Sequence, residues 1–200
     1  SGDREEGDAI AVALLSRLSD LAPVCFVNGN HEMCVERHQP ERYQKFMDDL
    51  KNGGVQILHN ETACFWIDGE KVAVTGYELP WEYYRRFSRR HPSVVGMERS
   101  IGKRKQDAYQ ILLTHNPVFF EEYTAWGADF TFAGHLHGGF IRLPYFGGVI
   151  SPQFQLFPKY DHGLYQMDTS SMVVGAGMGN HSGLFRINNP TEIVTVRMKR

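Results

Sequence analysis

Apolar positions along the chain alternate between two spacings. From Ala9 to Leu21, Ile10, Ala13, Leu14, Leu18 and Leu21 follow the three-and-four rhythm of a one-faced helix, which Ala22-Pro23 stops. Val24-Cys25-Phe26-Val27 is then a short continuous apolar run, as in a buried strand. A second helix is expected from Pro40, suited to a first helical turn, to the Gly53-Gly54 pair. Thr62 to Ile67 and Lys71 to Thr75 flank Asp68-Gly69, two residues that tolerate the positive φ of a tight hairpin. Ile111-Leu112-Leu113 and Phe130-Thr131-Phe132-Ala133 predict two further buried strands, with a helix between them from Pro117 to Trp126. Beyond Val149 the pattern predicts glycine-punctuated short strands. A final strand is expected over Glu192 to Met198, where Ile193, Val194 and Val196 alternate with polar residues.

Alternating strands and helices early, with mostly strands late, predict an α/β fold of two packed sheets with helices outside. Two hundred residues with 42% hydrophobic content suit one domain. A net charge of −2 gives no electrostatic footprint for specific nucleic-acid binding. No apolar run is long enough to span a bilayer and no signal peptide is visible, which leaves location open between the cytoplasm and a membrane surface. The cysteines, Cys25, Cys34 and Cys64, are odd in number and without paired spacing, as expected of a reducing compartment. Cys25 and Cys64 fall in strand-like runs and read as small core residues, Cys34 as a solvent-side or packing residue.

Three of the apolar runs end in nitrogen and oxygen donors: Gly29-Asn30-His31-Glu32, Thr114-His115-Asn116-Pro117 and Gly134-His135-Leu136-His137-Gly138-Gly139. In α/β folds, loops leaving neighbouring strand ends share one crevice, so these segments are expected to meet. His135 and His137, two apart in what reads as an extended segment, would face the same side. A lone histidine at a strand end is more often a satisfied polar group than a ligand, and that reading serves for His38, His59, His91 and His181. It fails for His115, His135 and His137, because Asn30-His31 also follows a strand and Gly138-Gly139 lets backbone approach a bound group. Pro117 can open its helix at the first position, keeping His115 on the loop.

The order GNHE, THNP, GHLHGG resembles the calcineurin-like metallophosphoesterase superfamily. The stretch from Gly134 to Pro144, with Tyr160 and His162-Gly163-Leu164-Tyr165, is similar to its bacterial membrane-associated phosphodiesterase branch rather than to the protein phosphatases that share GNHE. The resemblance covers essentially the whole chain. It implies an αββα sandwich of two mixed sheets flanked by helices. It also implies two divalent ions (Mn, Fe or Zn) in the complete enzyme: Asn30, His115 and His135 would hold one and His137 the other, while His31 acts on substrate without binding metal. Members normally begin with an Asp-x-His strand and a bridging Gly-Asp. Asp-x-His is absent here, and Asp3 stands too near Asn30 to be the bridge. The expectation is a single metallophosphoesterase domain over residues 1–200 without its first βαβ portion, binding one divalent ion or none.

The implied chemistry suits these residues. Two cations about 3.5–4 Å apart offset the charge of a phosphodiester and lower the pKa of a bridging water. Neutral imidazoles and an amide oxygen hold such ions without cancelling their charge, and hard phosphate chemistry argues against Cys34 as a ligand. His31 would protonate the leaving oxygen. Glu32 has two equal readings, its orienting partner or a helix-start acid. Between Arg85 and Lys105 basic residues dominate. Arg85, Arg86, Arg89 and Arg90 read either as solvated surface or as a lip attracting phosphate groups or an anionic membrane, and Trp81, Tyr83, Tyr84 and Phe87 either as interfacial or as packing residues. The expected function is a phosphodiesterase or pyrophosphatase acting on a phosphorylated small molecule or a lipid-linked substrate. The alternative is a non-catalytic phosphate-binding or scaffold domain, should the 200 residues be the whole protein.

Overall fold

The structure, a computed structural model, describes residues 5–85, 90–139, 157–179 and 187–199, together with the backbone of 142–143 and 147–148. Its centre is a six-stranded mixed sheet, ordered β3 (Thr62–Ile67), β4 (Glu70–Tyr77), β5 (Tyr109–Thr114), β6 (Phe130–Ala133), β10 (Ser170–Val174) and β9 (Gly163–Met167). The four inner strands run parallel, and an antiparallel hairpin closes each edge. A second, two-stranded parallel sheet pairs β1 (Cys25–Phe26) with β2 (Gln56–Ile57). Between them in the chain lie α2 (Asn30–His38) and α3 (Pro40–Asn52), and α1 (Glu5–Ser19) packs on α3. A short ribbon, β7 (Arg142–Leu143) with β8 (Gly147–Gly148), follows β6. This is an α/β fold of sheets with flanking helices, consistent with the expected sandwich.

Local chemistry accounts for the boundaries. Asp68 and Gly69, at φ of 50° and 81°, make the β3–β4 turn. Pro40 opens α3, and Gly53 ends it by donating its N–H to the Asp49 carbonyl. A 3₁₀ turn over Pro117–Phe119 leads into α5 (Phe120–Trp126), ended by Gly127 in the left-handed conformation. One core, including Tyr77, Leu79, Met97, Leu112 and Tyr123, joins the sheet to α5 and α4 (Val94–Ile101); a second, with Tyr43, Phe46, Met47 and Leu50, joins α3 to α1 and the small sheet.

Three expectations need correction, and one helix lies beyond them. Residues 192–198 form no strand: 191–199 are irregular, and Ile193 is 77% exposed. Alternation alone makes no strand without a ladder, and this segment pairs with neither edge strand; its Glu192 instead bonds the loop after β10, at Ala176 and Gly177. Cys64 is exposed rather than core, because β3 is an edge strand with one face open, on which Trp66 is 73% exposed. Helix α4, capped by Ser93 Oγ accepting from Gly96 N–H, lies inside the basic segment and was not predicted. His135 and His137 are not extended either; both have left-handed backbones, with φ of 64° and 49°. Among the described residues, no helix is long and apolar enough to cross a membrane.

Candidate functional site

Strands β1, β5 and β6 all deliver their polar ends to one place. The β5 and β6 ends are tied directly, Gly134 N–H donating to the His115 carbonyl at 3.1 Å. His115 leaves β5 where Asn116, itself buried, turns the chain. The Asn116 side chain accepts from Val118 N–H, and Tyr123 Oη donates to the Asn116 carbonyl. From β6, His135 enters the tight turn closed by the Gly139 N–H on the Leu136 carbonyl. The His115 and His135 rings lie 5.0 Å apart, centroid to centroid. Asn30, the first residue of α2, brings its Oδ1 to 3.1 Å from His135 Nδ1. That contact is a hydrogen bond when Nδ1 carries the proton; with the proton on Nε2, two lone pairs aim at the same point.

Burial sets the state of His115. Desolvation pushes its pKa down to about 4, with further repulsion from His137 and His31 opposed by Glu32. The ring is neutral at physiological pH, the form that binds a metal, and its buried Nε2 has no hydrogen-bond partner among the described residues. The ring also presses against the Gly29 backbone: a Cβ there would sit 2.9 Å from three ring atoms, so glycine is required by contact rather than by φ. Tyr84 walls the pocket, its ring 5.2 Å from that of His135 and 6.1 Å from that of His115. Its phenol pKa is held well above the ordinary value by burial.

The structure therefore brings Asn30, His115 and His135 together. His137 lies two residues on, beside the loop after β10, where a Cβ on Gly177 would stand 3.9 Å from its Nδ1. His31, the second residue of α2, is near enough to act electrostatically on His115. Glu32 Oε2 accepts the Gly29 N–H at 2.8 Å, the helix-start role of its two readings. Arg85 is exposed directly after Tyr84, and Arg90 is exposed and pairs with Glu82 at 3.2 Å. Arg86, Arg89, Phe87, Asp3 and His181 lie outside the described residues. Tyr84 is buried and Tyr83 packs edge-on against Phe119, so these two aromatics pack the segment onto the domain, while Trp81 is 43% exposed.

Sequence reading missed the support behind Asn30. Asn28 is buried, and its amide donates to Tyr43 Oη at 2.7 Å. Its backbone N–H donates to Glu78 Oε1 at 3.2 Å, and the same oxygen lies 2.8 Å from His59 Nδ1. His59 is thus a satisfied polar group, its pKa raised by the Glu78 bond. Its only prior sign was its position just after a short apolar stretch, which did not separate it from other surface histidines.

Donor chemistry tests the implied metal. Two imidazoles and an amide oxygen converge, one imidazole nitrogen is buried without a partner, and all are borderline or hard donors suited to a first-row divalent ion. They fit part of a cation's shell. Among the described residues, no three His, Cys, Asp or Glu side chains are grouped to hold a metal.

Residues 2–139, more than half of the chain and all of the site's converging donors, match the family model described as calcineurin-like phosphoesterase. The chain belongs to the calcineurin-like phosphoesterase family. An uncharacterized Bacillus subtilis protein, YpbG, is 28% identical over 154 residues, 73% of this chain and 52% of the relative. The Escherichia coli phosphodiesterase YaeI is 23% identical over 185 residues, 92% of this chain and 62% of the relative. The Chlamydia trachomatis UDP-2,3-diacylglucosamine pyrophosphatase LpxG is 25% identical over 158 residues, 74% of this chain and 43% of the relative. The chain thus spans about half the length of these relatives. No solved structure matches significantly.

Proposed function

We propose that this chain carries the phosphoryl-binding centre of a metal-dependent phosphohydrolase, a phosphodiesterase or pyrophosphatase whose substrate is a phosphorylated small molecule or a lipid-linked phosphate. The observation that carries the reading is the convergence of Asn30 Oδ1, His135 Nδ1 and the buried, neutral His115 ring at the ends of β1, β6 and β5. The names of the Escherichia coli and Chlamydia relatives support the reaction class, and the latter supports a lipid-linked substrate.

A divalent ion held by Asn30, His115 and His135, with His137 offered to a second, would supply Lewis acidity against the phosphate charge. The remaining work falls to the chain itself. Helix α2 begins at the crevice with Asn30, and the positive end of its dipole favours an anionic phosphoryl oxygen there. His31, on that first turn, donates a proton to the leaving oxygen. The Tyr84 ring excludes water from one side of His135. Arg85 and Arg90, with Arg86 and Arg89, raise the local concentration of anionic substrate or hold the lip against an anionic membrane.

The test is Mn²⁺-dependent hydrolysis of bis(p-nitrophenyl) phosphate by the protein at its natural length, wild type against H115A, H135A and H31A. The expected result is loss of turnover on chelation, at least a hundredfold loss in H115A and H135A, and retained Mn²⁺ binding in H31A. Metal-independent turnover, or full activity in H115A, would overturn the reading. Mn²⁺ binding without turnover of any phosphoester would favour the non-catalytic phosphate-binding alternative.

A further inference from the structure

The family match ends at Gly139, but the turn carrying His135 and His137 is held from beyond it. Asn189 is buried, only 4% exposed, in the irregular segment 187–199. Its side-chain amide donates both hydrogens back across the fold, one to the His137 carbonyl and one to the Gly139 carbonyl, the latter at 2.7 Å. Three residues on, Glu192 binds the neighbouring loop. Its Oε1 accepts from Ala176 N–H at 2.7 Å, its own N–H donates to the Gly177 carbonyl at 3.2 Å, and its Oε2 lies 2.8 Å from His162 Nε2. Gly177 lies beside the His137 ring, where an added Cβ would stand 3.9 Å from Nδ1.

From these contacts we infer that Asn189 is a positioning residue of the site, fixing the left-handed turn over His137-Gly138-Gly139 and so the direction of the His137 imidazole, with Glu192 holding the loop beside that ring. Three observations join here. A left-handed histidine backbone persists only where its surroundings over-determine it. The turn's own bonds, Leu136 N–H to the Gly134 carbonyl and Gly139 N–H to the Leu136 carbonyl, leave the His137 and Gly139 carbonyls for Asn189. An asparagine amide supplies two donors at a spacing that bridges carbonyls two residues apart, which serine or threonine does not. Glu192, the first residue of the segment that reads as a final strand, thus bonds a loop through its carboxylate and its N–H rather than joining a strand ladder. The consequence for chemistry rests on the proposed reading of His135 and His137 as metal ligands; the consequence for the turn does not.

The experiment separates the two. Amide hydrogen exchange is measured by NMR at Leu136 and Gly139, with β4 and β5 amides as internal controls, in wild type, N189A and the near-isosteric N189L. Zn²⁺ is titrated in parallel and read through the histidine ring resonances. The clamp predicts exchange at Leu136 and Gly139 at least tenfold faster in both variants, unchanged exchange in β4 and β5, and Zn²⁺ affinity lowered about 10–100-fold, as for loss of an outer partner of a ligand. E192A, which leaves Asn189 in place, is expected to shift the His137 and His162 ring resonances while sparing Gly139 exchange. Wild-type exchange at Leu136 and Gly139 in N189A and N189L would overturn the inference. Faster exchange with no Zn²⁺ response in any form would uphold the clamp and overturn the metal reading instead.

Discussion

The two sides of the site are built to different standards. His115 and His135 leave β5 and β6, strands with hydrogen-bonded neighbours on both edges, above a core that includes fully buried Leu112 and Tyr123. Asn30 and His31 leave β1, a two-residue strand with one partner among the described residues, and depend on α2, α3 and the Asn28–Tyr43–Glu78–His59 network for their place. Helix α1, which backs this side through Ala11, Val12 and Leu15, leaves Ile10 70% and Leu18 42% exposed. One half of the centre is therefore set by a sheet and the other by local hydrogen bonds. Local opening at low free energy belongs to the second half, where few ladder bonds must break.

The strongest way to break this comparison is core truncation on both sides. Leu112→Ala, in the large sheet, is expected to destabilise the fold by about 2–5 kcal/mol, and Val24→Ala, half-buried beside the small sheet, by about 1 kcal/mol. Equal losses in denaturant unfolding would show that the small sheet is as firmly built as the large one.

Gly29→Ala strikes the seam between the halves. The new Cβ would drive into the His115 ring, so a Mn²⁺ titration should show affinity at least tenfold weaker, while overpacking lowers stability by about 1–3 kcal/mol. Wild-type affinity in Gly29→Ala would mean that the seam yields without moving the ring.

pH sharpens the contrast, because the two sides carry histidines of opposite sign. On the small-sheet side, the hydrogen bond to Glu78 raises the His59 pKa above its ordinary 6.5 against the opposing effect of burial, with Glu36 adding and Lys51 opposing more weakly. That ion pair contributes fully below 6.5 and is lost as pH rises through the raised native value. On the large-sheet side, His115 stays neutral down to about 4. The unfolded chain takes up that proton first, so the His115 contribution to stability falls as pH drops from 6.5 toward 4. Metal-free unfolding at several pH values should lose its alkaline slope in E78Q and its acidic slope in H115F. Unchanged slopes would assign the pH dependence to other groups.

The smallest effect belongs to the lip. Arg85→Ser with Arg90→Ser, both exposed and Arg90 already paired with Glu82, should raise KM for an anionic phosphodiester a few-fold at low salt and leave kcat near wild type. An unchanged KM would return both to solvated surface.

Sequence pattern made the large-sheet half legible and the small-sheet half only in part. Apolar runs marked β1, β5 and β6, and Asp68-Gly69 and Pro40 marked a hairpin and a helix start, because those choices are local. His115 and His135 could be placed at one crevice because strand ends converge. Three features were illegible for one reason, that each depends on a partner distant in the chain. Nothing near Asn189 points to His137, 52 residues away. Nothing near Glu78 points to Asn28, 50 residues away. The β-like alternation of 192–198 carries no sign that Glu192 bonds Ala176 and Gly177 in the loop after β10 rather than joining a strand edge. The left-handed turn at His135 and His137 was hidden differently: adjacent glycines signalled freedom, and the histidines took the unusual conformation themselves.

On the proposed reading of His135 and His137 as metal ligands, that turn places stability and function in opposition. Histidine in a left-handed backbone costs on the order of 1–3 kcal/mol per residue, whereas glycine or asparagine adopts it with little penalty. A population of variants screened only for resistance to heat should therefore drift to Gly or Asn at positions 135 and 137, growing hardier as the crevice empties of imidazoles. Homologues that have abandoned chemistry would show the same replacements, so these two positions offer a way to tell, from sequence alone, a working descendant from a retired one.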